Sequence, residues 1–157
     1  MNESTFIIKD INQYLVFISQ VKNLSENTTK SYERDLRKLS AFIKELKISN
    51  YSDISPEICS AWIGNLYNQN NNPKSIQRHL SSAKGFFRFL KKNNLVDSSP
   101  FELITAPKSP NTLPEVLSPE NVEQLLNFKP TSLIEIRDLA IVELMYSSGL
   151  RVSETVN

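Results

Sequence analysis

Pro73-Lys74-Ser75-Ile76-Gln77-Arg78-His79-Leu80-Ser81-Ser82-Ala83-Lys84-Gly85-Phe86-Phe87-Arg88-Phe89-Leu90-Lys91-Lys92 decides the fold of this chain. Ile76, Leu80, Ala83, Phe87 and Leu90 recur every three or four residues, the spacing of one apolar stripe on an α-helix. Pro73 at the first position has its φ already set for the helix. At about 100° per residue, Lys74, Arg78, Lys84, Arg88, Lys91 and Lys92 fall within an arc of roughly 140° on the other side. No acidic residue lies between positions 74 and 92. His79 projects into the apolar side, where a half-buried, hydrogen-bonded histidine is expected rather than a catalytic one. Phe86 and Phe87 read as core. Phe89, at the edge of the apolar arc, stays open as a base-stacking ring.

Three further helices precede it. Ile7, Ile11, Tyr14, Ile18 and Val21 form one stripe. A second helix opens after Ser25 as N-cap and reaches about Lys47, with Tyr32, Leu36, Leu39, Ile43 and Leu46 as its stripe. On that helix Lys30, Arg34, Arg37, Lys38 and Lys44 share an arc of roughly 120° away from the stripe, diluted by Glu26, Glu33 and Glu45. Asp35 points into the stripe and needs a partner there; a cap or ion pair is expected, not a general base. Ser55-Pro56-Glu57 reads as N-cap, Pro at the first helical position and a dipole-favoured acid, opening a third helix with Ile58, Trp62 and Leu66. The polar tract Asn68 to Asn72 ends it. A small fifth helix is expected around Pro100 to Leu103. No strand pattern and no internal repeat is present.

Pro107, Pro110, Pro114 and Pro119 make the next stretch an extended connection. The charge changes sign at the same place. Residues 1–110 carry 15 basic and 10 acidic residues, net +5, and residues 111–157 carry 3 and 7, net −4, so the total of +1 conceals a split. The boundaries expected are a first domain at 1–104, a linker at 105–117 and a second part at 118–157. In the second part Ser118-Pro119-Glu120 opens a helix. A longer helix, apolar nearly all round, runs from about Ile134 to Ser148 and ends at Gly149.

Composition excludes several classes. The 3 glycines stand singly, so no Gly-rich phosphate loop exists. One Cys and one His cannot build the usual zinc sites, and the lone Cys59 fits a reducing compartment. No secretory signal and no apolar run of roughly 20 residues is present. The expectation is a cytoplasmic protein with no metal, no cofactor and no membrane partner.

Two basic helix faces in a domain of net +5 suit double-stranded DNA, because Lys and Arg displace counterions from phosphates and a helix fits the major groove. Asn27, Thr28, Thr29 and Ser31 would add hydrogen bonds beside Lys30, Arg34, Arg37 and Lys38. Charge alone is equally compatible with a solvated surface on a helical protein-interaction domain.

The end of the chain, Ile136-Arg137-Asp138-Leu139-Ala140 through Gly149-Leu150-Arg151-Val152-Ser153-Glu154, closely resembles the start of the catalytic domain of tyrosine recombinases: a buried helix followed by G-L-R-x-S-E. Upstream, Asn27-Thr28, Tyr32 and Asp35-Leu36 look like that family's N-T-x-x-x-Y-x-x-D-L. Arg78-His79-Leu80-Ser81 followed by Phe86-Phe87 is similar to its fourth helix. Pro107-Lys108 and Leu113-Pro114 fall where its linker lies. The likeness covers essentially the whole chain and is greatest to the bacterial Xer branch, more to the XerC type than the XerD type.

The resemblance implies an all-α architecture: a four-helix SAM-like core-binding domain followed by the first helices of a catalytic domain. It implies strand exchange through a 3′-phosphotyrosyl link, by protomers assembled in fours on two DNA sites, and for Xer pairs the resolution of chromosome dimers. Arg151 matches the first catalytic arginine and Glu154 its supporting acid. The DNA-binding set is Asn27, Thr28, Thr29, Lys30, Ser31, Arg34, Arg37, Lys38, Lys74, Arg78, Lys84, Arg88 and Lys108. The family's lysine, H-x-x-R, later His or Trp and nucleophilic tyrosine have no counterpart, since Tyr14, Tyr32, Tyr51, Tyr67 and Tyr146 all precede Arg151. An N-terminal fragment, inactive alone, is therefore expected, the alternative being a non-catalytic DNA-binding module or truncated competitor. With six residues after it, Arg151 is expected to be poorly ordered, and helix 134–148 to expose an apolar patch.

Overall fold

Each apolar stripe in the first part of the chain becomes a helix: α1 (Thr5–Gln20), α2 (Glu26–Glu45), α3 (Pro56–Asn68) and α4 (Pro73–Lys92). The computed structural model describes residues 5–105 and 116–156. The expected linker lies outside these residues except at its two ends, and Lys108 lies outside them altogether. The chain divides into two compact units, Met1–Pro110 and Asn111–Asn157. The architecture is all-helical, with no strand among the described residues.

The stripes converge on one core in the first unit. Ile7, Ile11 and Ile18 from α1, Leu36, Leu39 and Ile43 from α2, Trp62 and Leu66 from α3, and Ile76, Ala83, Phe86, Phe87 and Leu90 from α4 are all buried. Each large side chain so placed contributes roughly 1.5–3 kcal/mol. Phe101 closes the core from beyond α4, with ring centroids 5.8 Å from Trp62 and 5.2 Å from Phe87. The helix expected around Pro100 to Leu103 does not form. Two turn bonds replace it, Glu102 N to Ser99 O at 3.1 Å and Ile104 N to Phe101 O at 3.1 Å. Burial of Phe101 against Trp62 and Phe87 fixes the segment as turns. A 3₁₀ turn at Tyr51–Asp53, without a periodic signal in the sequence, joins α2 to α3.

The starts follow the sequence more closely than the ends. Ser25 accepts from Thr28 N at 3.2 Å and Asn72 from Lys74 N at 2.9 Å, whereas the side chain of Ser55 at its N-cap accepts no backbone N–H and pairs with Glu57. α2 stops at Glu45, two residues short of expectation. Lys47, Asn70 and Asn94 adopt positive φ after α2, α3 and α4. In each case the following amide bonds back to the carbonyl five residues earlier, as Leu95 N does to Leu90 O at 3.0 Å. Asparagine tolerates this left-handed geometry better than most residues, which suits Asn70 and Asn94 to end α3 and α4.

Gly85 serves a different purpose. It lies on α4 beneath the Tyr14 hydroxyl, and a Cβ there would collide with that oxygen. Tyr14 cannot swing away, because its ring is wedged 5.7 Å from Phe86 and 5.5 Å from Phe89. Gly85→Ala is therefore expected to lower stability by about 1–2 kcal/mol, the overpacking penalty exceeding the gain in helix propensity. In a Tyr14→Phe background the same change should become neutral or stabilising. Urea melts of the four proteins measure this, and equal costs in both backgrounds would refute the collision.

The second unit contains α5 (Pro119–Leu126), α6 (Leu133–Ser148) and α7 (Val152–Thr155). Ser118 caps α5, and Ser132 with Glu135 forms a reciprocal capping box on α6. Gly149 ends α6 in the left-handed region at φ 65°. Leu133, Ile134, Ile136, Leu144 and Tyr146 are exposed on α6.

Candidate nucleic-acid interface

Helices α2 and α4 lie against each other and are joined by one buried ion pair. Asp35, on the apolar side of α2, is 1% exposed. Arg78 of α4 directs Nη1 at it, donating to Oδ1 at 2.8 Å and Oδ2 at 2.7 Å, and to the Ser31 carbonyl at 3.1 Å. Arg78, expected on the outer basic face, thus turns one nitrogen inward. The reason is the cost of a buried carboxylate without a partner. Burial pushes the Asp35 carboxyl up to about 6, and Arg78, Lys38 and Arg34 oppose the shift. Asp35 remains ionised at neutral pH.

His79 differs from its expectation. It is 2% exposed rather than half-buried. Its Nδ1 lies 3.1 Å from Oδ1 of Asp35 but is not aligned for a hydrogen bond. Burial, with Lys38 and Arg78 nearby, lowers its pKa to about 4, so the ring is neutral at pH 7. Trp62 packs edge-on against it at 5.8 Å.

The remaining α2 residues divide by engagement. Lys30 pairs with Glu26 at 2.6 Å and Arg37 with Glu33 at 2.7 Å, both one helical turn apart. Arg34 Nη2 donates to Ser31 Oγ at 3.2 Å. Thr28 and Thr29 bond to Ser25 through their hydroxyls. Asn27 and Lys38 are exposed. Asn27, Lys30, Ser31, Glu33, Arg34 and Arg37 line an open groove of about 580 Å³.

On α4, Lys74 and Arg88 are exposed, and Arg88 Nε donates to the Lys84 carbonyl at 3.2 Å. Lys84 is half-buried and donates to the Glu102 carbonyl at 3.3 Å, which ties it to the Phe101 turn. Phe89 packs on Tyr14 and Phe17 rather than standing free. Sequence periodicity missed Lys22, whose Nζ lies 5.9 Å from the Phe17 ring centre, as Lys92 does at 5.7 Å. With Arg88 these cations rim a cleft of about 420 Å³ floored by Tyr14, Phe17 and Phe89. Nothing in a single helix period reveals that α1 brings Lys22 to α4.

In the second unit Arg151 has a defined place. It is the N-cap of α7, and Glu154 accepts from its backbone N at 2.8 Å and from Nη1 at 3.2 Å. The Glu154 backbone N donates to the Arg151 carbonyl at 2.8 Å and closes the first turn of α7. The Arg151 side chain is 82% exposed. Among the described residues no group of three or more His, Cys, Asp or Glu is placed to hold a metal ion, and no helix is long and apolar enough to cross a membrane.

The first unit is thus a helical bundle with two adjoining basic helices, and the second presents an arginine–glutamate pair. Residues 11–94 match the family described as phage integrase, N-terminal SAM-like domain, and residues 115–157 match the phage integrase family. The chain belongs to the family described as phage integrase, N-terminal SAM-like domain. It is 37% identical over 147 residues to tyrosine recombinase XerD of Staphylococcus haemolyticus, covering 93% of this chain and 50% of the relative. It is 33% identical over 150 residues to tyrosine recombinase XerC of Pseudomonas putida, covering 95% and 50%. XerD of Oceanobacillus iheyensis is 32% identical over 148 residues, covering 94% and 50%. Both Xer types are thus among its relatives, and the chain spans about half the length of each.

Proposed function

We propose that this chain is the DNA-gripping N-terminal portion of an Xer-type tyrosine recombinase acting in the cytoplasm. Residues 1–104 form its core-binding domain, and residues 118–157 begin its catalytic domain. Its substrate is double-stranded DNA, and its partner a second recombinase protomer in a tetramer on two sites. The reaction is site-specific strand exchange through a phosphotyrosyl link, with chromosome dimer resolution as its use. The observation that carries the reading is the pair of adjoining helices, α2 and α4, whose outer sides bear Lys38, Lys74 and Arg88 in solvent. Arg151 supplies a planar fork for two phosphate oxygens, and Glu154 steadies it at 3.2 Å.

The test is a duplex titration at two salt concentrations. Three or four phosphate contacts would lower affinity by about 40- to 150-fold between 50 and 200 mM salt. Lys74→Glu with Arg88→Glu should weaken binding at least about tenfold and flatten the salt dependence, since two contacts become repulsions. Absence of binding at low salt overturns the reading, as does an unchanged affinity after the two reversals.

A further inference from the structure

We propose that Asp35 is a positioning residue for DNA binding: it holds the Arg78 guanidinium so that its outer edge meets a phosphate. The inference rests on the reading that α2 and α4 face DNA. It starts from the division of labour within one side chain. All three contacts of Arg78, to both oxygens of Asp35 and to the Ser31 carbonyl, are made by Nη1. Nη1 carries two hydrogens, so these acceptors saturate it. Nε and Nη2 lie on the opposite edge of the guanidinium plane and form the side-on fork that fits two phosphate oxygens. The side chain is 38% exposed while Nη1 is held by its buried partner.

The holding groups are rigid. Asp35 is buried on α2, and Ser31 contributes main chain from the preceding turn of the same helix. A flexible arginine must surrender its rotamer freedom when it takes a phosphate; one fixed beforehand does not. Neighbouring Arg34 and Arg37 are held by exposed partners, Ser31 Oγ and Glu33, that water competes for. Arg78 is the cation on these two faces anchored to a buried carboxylate.

The proposal makes a prediction of opposite sign to simple electrostatics. Asp35 is an anion near the phosphate-facing surface, so Asp35→Asn should tighten DNA binding if charge alone matters. If Asp35 positions Arg78, the same change weakens binding by roughly tenfold, the loss expected when a charge-assisted contact is no longer prepared. The salt slope should fall by about 0.9, the value of one phosphate contact. Arg78→Ala should show the same loss, and Asp35→Asn should add nothing to it, because the two act as one unit. Arg78→Lys keeps the charge but has no second edge, and should lose the same slope. Binding of the intact chain and each variant to one duplex, over a range of salt and at a temperature where circular dichroism shows full helix, measures these effects. If Asp35→Asn does not fold, Arg78→Lys carries the test. Tighter binding by Asp35→Asn, or an unchanged slope for Arg78→Lys, overturns the positioning role while leaving DNA binding intact. Failure of the parent chain to bind at low salt overturns both.

Discussion

Phe87→Ala is expected to destabilise the first unit by about 3–5 kcal/mol, the usual cost of deleting a fully enclosed aromatic ring. Phe87 is 0% exposed and meets Phe86 at 5.6 Å, Tyr51 at 6.1 Å and Phe101 at 5.2 Å. These neighbours come from α4, the turn before α3 and the segment after α4. The void therefore opens where three separate stretches of chain meet, and no one of them can close it alone. Phe89, two residues on, gives the internal comparison. It is half-buried against Tyr14 and Phe17, and Phe89→Ala should cost about 1–2 kcal/mol. Domains of this size have total stabilities of about 5–15 kcal/mol, so the first substitution removes a large share and the second does not. Urea unfolding with unchanged slope would register the difference as a shift of midpoint. Equal costs for the two phenylalanines would contradict the core assignment.

What separates these two rings was visible in the sequence, because position on a helix face is a local property. The period of 3.6 residues fixes which side chains share a face before any partner is known. It placed Phe87 in the centre of the stripe and Phe89 at its edge. Ser25, Ser118 and Gly149 were legible for a similar reason: caps act within one turn. The pairs Lys30–Glu26 and Arg37–Glu33 follow from spacing alone. Features that depend on which helix adjoins which were not legible. Asp35 plainly needed a partner, but its choice of Arg78, 43 positions away, depends on the packing of α2 on α4. His79 was placed on the apolar side correctly, yet its depth and its missing hydrogen bond depend on Trp62 and Asp35, which other helices supply. The turn after α4 looked like a small helix because its buried Phe101 carries no periodic signal. In the candidate site, the basic arcs were readable, whereas the turning of Arg78 Nη1 away from solvent was not. At Arg151, the contacts that its backbone N and Nη1 donate to Glu154 are ones a spacing of three on a helix permits.

The combined contribution of Asp35 and His79 to the stability of the first unit should be nearly independent of pH between about 4 and 6, from two opposing slopes that single substitutions separate. Asp35 titrates near 3.8 when unfolded and about 6 when folded. Between these values the folded form holds the extra proton, so this group's contribution falls as pH rises. His79 titrates near 6.5 unfolded and about 4 folded, because burial, Lys38 and Arg78 all disfavour its cation. Over that range the unfolded form holds the extra proton, so this contribution falls as pH drops. In their common window one proton is bound in each state, on Asp35 when folded and on histidine when unfolded, and the slopes cancel. The other charges facing the pair are Arg78, Lys38 and Arg34. Asp35→Asn leaves the histidine alone, and stability should then rise with pH from 4 to 6.5 by up to about 1.4 kcal/mol per unit. His79→Leu leaves the carboxyl alone, and stability should fall with pH from 4 to 6 at a similar rate. Surface carboxylates are common to all three proteins and drop out when each variant is compared with the parent. Urea midpoints at half-unit steps of pH give the slopes. The two variants must diverge in opposite directions from the parent; slopes of the same sign would show that Asp35 and His79 do not titrate against each other, and the buried pair would then be a fixed ionic clamp.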